Sequence, residues 1–88
     1  MEEAIRRIER MEKLFDEVDA AYSAGWTQDA QLQEKRRALE AYMDSGAWLA
    51  DYLRDERGEL PASLKRGVLS QDGLYHLLAG ILEKENER

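Results

Sequence analysis

Cysteine is absent from this sequence, and proline occurs once. Without cysteine the chain can form neither a disulfide nor a thiolate metal site, and small secreted domains usually depend on disulfides. The most apolar stretch, Leu74 to Leu82, is far shorter than the roughly 20 residues that a membrane span needs. The residues from Met1 to Ala4 show no basic region followed by an apolar run, so we see no signal peptide. We therefore expect a soluble, cytoplasmic protein that does not contact a membrane.

Basic charge is also in deficit, because 13 lysine and arginine residues face 19 acidic residues and the formal net charge is −6. Binding to nucleic acid requires clustered basic residues, so we expect no direct contact with nucleic acid. The charge can serve solubility alone, or it can let the chain occupy a basic groove of a partner as an acidic decoy or inhibitor. A decoy needs acidic residues concentrated on one face. Basic residues interrupt the acidic ones at Arg6, Arg7, Arg10, Lys13, Arg36 and Arg37.

Catalytic groups are scarce as well. His76 is the only histidine, and the six glycines are scattered singly, so no phosphate-binding loop is present. Nucleophilic catalysis needs a base beside the nucleophile, and a zinc site needs three or four ligands. We place His76 at the surface or at the edge of the core. We predict that the protein is not an enzyme and that it has no catalytic residue, cofactor or metal.

Four carboxylates lie in or near the third predicted helix and could in principle bind a cation. Divalent cations prefer such oxygens, but Arg54 interleaves with them and no calcium-binding loop sequence is present. We therefore interpret this region as a solvated face and leave cation binding as the alternative. The four residues are Asp44, Asp51, Asp55 and Glu56.

Helical spacing dominates the chain, and no segment alternates with a period of two for long enough to form a strand. The length is that of one domain, so residues 1–88 are predicted to form a single helical domain. The first helix is predicted from Glu2 to Tyr22, and Gly25 supplies the stop, although one helix continuing through Gly25 is the alternative. Thr27 can cap a second helix that runs to about Met43. A short connection makes these two helices antiparallel, with Trp26 at an exposed loop tip.

The second half of the chain is predicted to close this hairpin. Ser45 is a plausible N-cap for a short third helix that Gly58 ends. Pro61 fits the start of a brief helical turn, which Gly67 closes, and Ser70 caps a last helix that runs to about Asn86. The fold class is therefore all-α: an antiparallel two-helix hairpin closed by a short third helix, a Pro-initiated turn and a C-terminal helix. The predicted apolar sides are Trp48, Leu49, Tyr52 and Leu53 in the third helix, and Leu74, Leu77, Leu78, Ile81 and Leu82 in the last.

The whole chain also resembles a small bacterial family known as domain of unknown function 4298, most specifically in its second half. Gly73 and His76 depart from the family pattern, since the family favours a better helix former and often an acid at these positions. The resemblance implies a bacterial, cytoplasmic setting and no particular activity. The residues that carry it are Tyr42, Ser45, Trp48, Asp51, Tyr52, Asp55, Glu56, Gly58, Leu60, Pro61 and the run LKRGVLSQDGLYHLL from Leu64 to Leu78.

The function predicted from these observations is that of a non-catalytic interaction or scaffold module. It would bind either another protein or a second copy of itself, forming a homodimer. Narrow apolar seams and the lack of catalytic groups support this hypothesis. Trp48 and Tyr52 are either core residues, which we favour, or half-exposed contacts. Together with Lys65 and Arg66, the only adjacent basic pair in the second half, they are the candidate partner-binding residues for an acidic or carboxylate-bearing partner.

Overall fold

The computed structural model describes residues 2–26 and 29–86, with the side chain of Gln71 excepted. Helices α1 (Glu2–Ser23), α2 (Ala30–Asp44), α3 (Ala47–Glu56) and α4 (Gln71–Asn86) account for most of these residues, and a short 3₁₀ turn spans Gly67–Leu69. No strand occurs within the described residues. The predicted all-α fold is confirmed.

Helices α1 and α2 form the predicted antiparallel hairpin. Gly25 lies between them with φ +106°, a left-handed conformation that costs glycine little. The N–H of Trp26 bonds the carbonyl of Ala21 across the end of α1. Lys35 Nζ of α2 lies 2.9 Å from Glu17 Oε2 of α1, so the two helices lie side by side at this level. The alternative of one helix through Gly25 is therefore wrong.

Helix α4 lies along α1 and runs in the same direction. The close approach is clearest at Gly80, where an added Cβ would lie 2.5 Å from Tyr22 Oη. One face of α4 thus lies on α1, and its other side meets α2. Six of the apolar residues that share the resulting core are fully buried: Ile8, Val18, Leu39, Val68, Leu74 and Ile81.

The helix starts differ in detail from those predicted. Asp29 caps α2, because its carboxylate accepts the N–H groups of residues 31 and 32, while Thr27 lies outside the described residues. Gly46, with φ +88°, is the N-cap of α3, and Ser45 is the C-cap of α2. Ser45 Oγ still accepts the N–H of Ala47 at 3.3 Å. The left-handed backbone at Gly46 favours glycine there, which explains why serine is not the cap.

The Pro-initiated turn is present but is not helical. The N–H of Leu64 bonds the carbonyl of Pro61 at 3.1 Å, which is the pattern of a β-turn. Gly67 begins the 3₁₀ turn instead of closing a helix. Ser70 then caps α4 as predicted, since its Oγ accepts the N–H of Gly73 at 3.3 Å.

Two tryptophans close the hairpin, one before α2 and one after it. Trp48 Nε1 donates to the carbonyl of Val68 at 2.9 Å, and Trp26 Nε1 donates to Glu85 Oε2 at 3.2 Å. Both side chains are only 9% exposed. The structural interpretation of Trp48 is confirmed, and the expectation of an exposed Trp26 is wrong because α4 reaches back to cover the turn.

Candidate interaction surfaces

The four predicted partner-binding residues do not form one site. Trp48 belongs to the core, and Tyr52 is half-buried with its ring stacked on Trp48 at a centroid distance of 5.1 Å. Lys65 extends from the loop toward Asp16 of α1, where the Nζ to Oδ2 distance is 3.5 Å, and its side chain is largely exposed. Arg66 lies on the other side of the loop, toward α3. Adjacency in sequence therefore does not bring these two cations together.

Arg66 is a structural residue. Its guanidinium donates to the carboxylate of Asp55 and to the carbonyls of Pro61, at 2.6 Å, and Leu64, at 3.3 Å. These bonds tie the loop to the end of α3. Because its hydrogen-bonding groups are engaged within the fold, Arg66 is a poor candidate for binding a partner.

Asp51 is fully buried, so its predicted place on a solvated face is wrong. Arg7 donates Nε to Oδ2 at 2.9 Å and Nη2 to Oδ1 at 2.5 Å. Tyr42 Oη donates to Oδ2 at 2.6 Å, and Arg54 Nη1 donates to Oδ1 at 3.1 Å. One carboxylate thereby joins α1, α2 and α3.

The pKa values in this network follow from burial and hydrogen bonding. Burial by itself raises the pKa of Asp51, but hydrogen bonds from Arg7 and Tyr42 outweigh it, and the pKa is lowered below its usual value. Burial and the bond to Asp51 raise the pKa of Tyr42. Each oxygen of Asp51 already accepts two donors, which suits a structural joint better than a site for a ligand or a proton transfer.

A groove of about 510 Å³ lies between α1 and the loop that contains Pro61. Its apolar part is formed by Ile5, Pro61 and Leu64. Carboxylates outnumber ammonium groups by four to two along it, so the surroundings of Lys65 are predominantly acidic. We call it the α1–loop groove; its charged residues are Glu9, Glu12, Lys13, Asp16, Glu17 and Lys65.

Glu12 is the most buried charged residue of this groove, with 7% of its surface exposed. Its Oε1 accepts the N–H of Val68 at 2.8 Å. Burial raises the pKa of Glu12 and the nearby Asp16 raises it further, although the bond from Val68 acts in the opposite direction. Glu12 could not be singled out from the sequence, because a glutamate in the apolar seam of α1 looks like one of many exposed charges.

A second surface lies between α2 and α4. Tyr75 is 62% exposed and Leu82 is 55% exposed, so the predicted core position of Leu82 is wrong. Half-buried Leu78 lies between them in sequence, at spacings of three and four residues. A groove of about 500 Å³ follows this line of side chains. We call it the α2–α4 surface; its residues are Glu40, Met43, Asp44, Tyr75, Leu78, Ala79 and Leu82.

Helix α3 carries two more exposed leucines. Leu49 and Leu53 are 52% and 44% exposed, so they do not share the buried side of α3 with Trp48 as predicted. Asp51 occupies that side instead.

Residues 2–26 and 29–86 contain no cluster of three or more histidine, cysteine, aspartate or glutamate side chains arranged to hold a metal ion. Within the same residues, no helix has both the length and the apolar character needed to cross a membrane.

These features define a small all-α protein whose open surfaces include the α1–loop groove and the α2–α4 surface. The chain belongs to the family described as domain of unknown function 4298, whose model matches residues 8–84. The resemblance noted from the sequence is thus confirmed. No curated protein and no solved structure matches the chain. The family description assigns no activity, so the functional argument depends on the surfaces themselves.

Proposed function

We propose that this protein is a non-catalytic interaction module that docks an amphipathic helix of another protein on the α2–α4 surface. The observation that carries the proposal is the exposure of Tyr75 and Leu82 on a helix whose remaining large apolar residues are buried or half-buried. Exposed apolar side chains that adjoin one another are typical of binding sites. Aromatic residues in particular contribute much of the energy of protein interfaces.

The spacing of the surface favours a helical partner. Tyr75, Leu78 and Leu82 follow one another at three and four residues, so they form a ridge along one side of α4. The groove between this ridge and Met43 of α2 can receive the apolar side chains of a second helix, as in known helix-in-groove complexes.

The charges around the surface favour a basic partner over a second copy of this chain. Asp44 and Glu40, the latter paired with Arg36 at 3.0 Å, line the α2 side, and Asp72 and Glu83 are exposed on α4. A two-fold pairing that sets this surface against itself would bring these acidic residues close to one another, which opposes association. An amphipathic helix with lysine or arginine beside its apolar face complements both the apolar ridge and the acidic residues around it. The decoy alternative receives less support, because Lys35 and Lys65 pair with carboxylates of α1 and break up an acidic face.

The test uses a fluorescein-labelled 18-residue model helix with leucine on one face and lysine on the other, titrated with the protein and followed by fluorescence anisotropy. The double variant Tyr75→Ser and Leu82→Ser should weaken binding about tenfold or more, as expected when central contacts are removed. The matched control is Leu49→Ser with Leu53→Ser, because these two leucines are also exposed but lie on α3. The control should bind as tightly as the wild-type protein.

Two results would contradict the proposal. Equal losses in both double variants would show non-specific attraction of the peptide to exposed apolar residues. Sedimentation equilibrium that revealed a dimer, abolished by the Tyr75 and Leu82 substitutions, would identify a second copy as the occupant. The expected result is a monomer throughout the accessible concentrations.

A further inference from the structure

We infer that the α1–loop groove is a second binding site, in which Glu12 and Asp16 receive a lysine or arginine side chain from a short basic segment of another protein. This site is on a different surface from the one proposed above, and the two proposals stand independently. It also reverses the polarity that the sequence suggested for a contact at Lys65.

The first observation is the position of Glu12. Its carboxylate lines the groove although the residue is more than nine-tenths buried. Val68 donates to Oε1, and no hydrogen-bond donor within residues 2–26 and 29–86 serves Oε2. No side-chain oxygen of the described residues is both buried and without a hydrogen-bond partner, so Oε2 of Glu12 stays accessible from the groove. A guanidinium or ammonium group in the groove can therefore donate to Oε2 and pair with the charge of Glu12.

The second observation is the charge left around Glu12. Lys35 neutralises Glu17 from outside the groove, whereas Lys65 lies at the longer distance of 3.5 Å from Asp16 and is exposed. Glu9 and Glu12 have no cation within ion-pair distance among the described residues. Glu12 and Asp16 are one helical turn apart, so a single cation can approach both.

The third observation is the apolar lining. Ile5, Pro61 and Leu64 adjoin the carboxylates, so a side chain next to the basic residue can be buried while the cation is paired. The groove volume of about 510 Å³ lies in the ordinary range for a ligand site. This combination of apolar contact and charge complementarity favours a short peptide segment over a simple ion.

The first test is a nuclear magnetic resonance titration with the peptide acetyl-Leu-Arg-Leu-Lys-amide. Backbone signals of Glu12, Asp16, Leu64 and Lys65 should shift, and the shifts should diminish between 50 and 300 mM salt because the attraction is screened, the Debye length falling from about 14 Å to about 6 Å. A peptide with glutamate in place of arginine and lysine should cause no shift. Shifts located elsewhere would overturn the proposal. Equal shifts caused by calcium chloride alone would also overturn it in favour of a metal site.

The decisive variant is Glu12→Gln, which keeps a carbonyl oxygen for Val68 and removes the charge. It should weaken the basic peptide about tenfold, the usual scale when a charge-assisted hydrogen bond becomes a neutral one. The matched control is Asp19→Asn, which removes an exposed charge of α1 outside the groove. Urea unfolding should show both variants folded, so that a purely structural role of Glu12 cannot explain the loss.

Binding of equal strength by wild type and Glu12→Gln would refute the second site. The double variant Tyr75→Ser and Leu82→Ser should bind the tetrapeptide normally, and Glu12→Gln should bind the model helix of the previous section normally. These crossed measurements separate the failure of one proposal from the failure of the other.

Discussion

Asp51 is the residue through which three helices are joined. Burying a carboxylate costs several kcal/mol unless strong partners replace water, and here Arg7 and Tyr42 provide them at 2.5–2.9 Å. Replacing one carboxylate oxygen by an amide NH2 group would set a donor against the donors that this oxygen now accepts from Arg7, Tyr42 or Arg54. Arg7 is partly exposed and can turn toward water, so the loss should be smaller than for a fully buried pair.

We predict that Asp51→Asn lowers the free energy of unfolding by about 2–3 kcal/mol at pH 7, somewhat less than the loss for a fully buried ion pair. The pKa of Asp51 is lower in the folded than in the unfolded state. Its contribution is therefore present above the unfolded value and is lost as pH falls through the folded value. The difference between wild type and variant should shrink below about pH 3.8. Urea titrations at pH 7 and pH 3 would measure it, and a difference that grew in acid would contradict the assignment.

The contacts of individual side chains were harder to predict from the sequence than the helices. Two of the three partners of Asp51, Tyr42 and Arg7, are nine and 44 residues away in sequence, so local spacing showed only an acid among arginines. Glu12 was hidden in the same way, since its partner Val68 is 56 residues away. Of the four candidate contact residues, sequence reasoning correctly favoured a core position for Trp48, but it could not separate the roles of Lys65 and Arg66.

At the scale of elements, α4 contains two glycines with different surroundings. An added Cβ at Gly73 would lie 3.3 Å from Ser70 Cβ and Oγ, which is tight but adjustable. At Gly80 it would lie 2.5 Å from Tyr22 Oη and 2.9 Å from Tyr22 Cζ. Alanine is the better helix former by about 1 kcal/mol at either position, so packing decides the net effect.

Gly80→Ala should therefore lower the free energy of unfolding by about 1–2 kcal/mol, because overpacking outweighs the gain in helix propensity. Gly73→Ala should change it by less than about 0.5 kcal/mol, because its smaller crowding offsets most of that gain. Urea unfolding of both variants provides the comparison. Stabilisation by Gly80→Ala would show that there is room for a Cβ between α4 and Tyr22.

Helices were predictable because apolar periodicity and punctuating residues agree along the chain. The stop at Gly25 and the cap at Ser70 are present as expected. Exposure of Leu82 was not predictable, because an apolar stripe shows which side of a helix can be buried but not how much partner surface is available. The apolar stripe of α4 is wider than the part of it that α1 and α2 cover. The same reasoning applies to Leu49 on α3.

At the scale of the whole molecule, the fold is elongated, with principal extents of 43 × 19 × 16 Å. Trp26 and Trp48 are buried at the two ends of α2, each with its indole N–H bonded. They fix α4 and the loop onto the hairpin, so stability is expected to depend on both ends.

Trp48→Ala and Trp26→Ala should each destabilise the protein by about 3–5 kcal/mol, the usual cost of truncating a buried large aromatic residue. A small domain has only about 5 kcal/mol or slightly more in total, so either variant can be largely unfolded at 25 °C. Circular dichroism during thermal unfolding would measure the loss. A Trp26 variant as stable as wild type would show that the turn is not held by α4.

The separation of the two tryptophans also gives the protein a pair of intrinsic optical probes. They are the only two indoles in the chain, and their surroundings differ: the ring of Trp48 is stacked on Tyr52, whereas the N–H of Trp26 contacts a carboxylate. Replacing either one by phenylalanine leaves a single indole, at a known end of α2. The red shift of tryptophan emission can then be followed during denaturation in each of the two variants. Comparing the two would reveal whether the ends of α2 open together or one after the other.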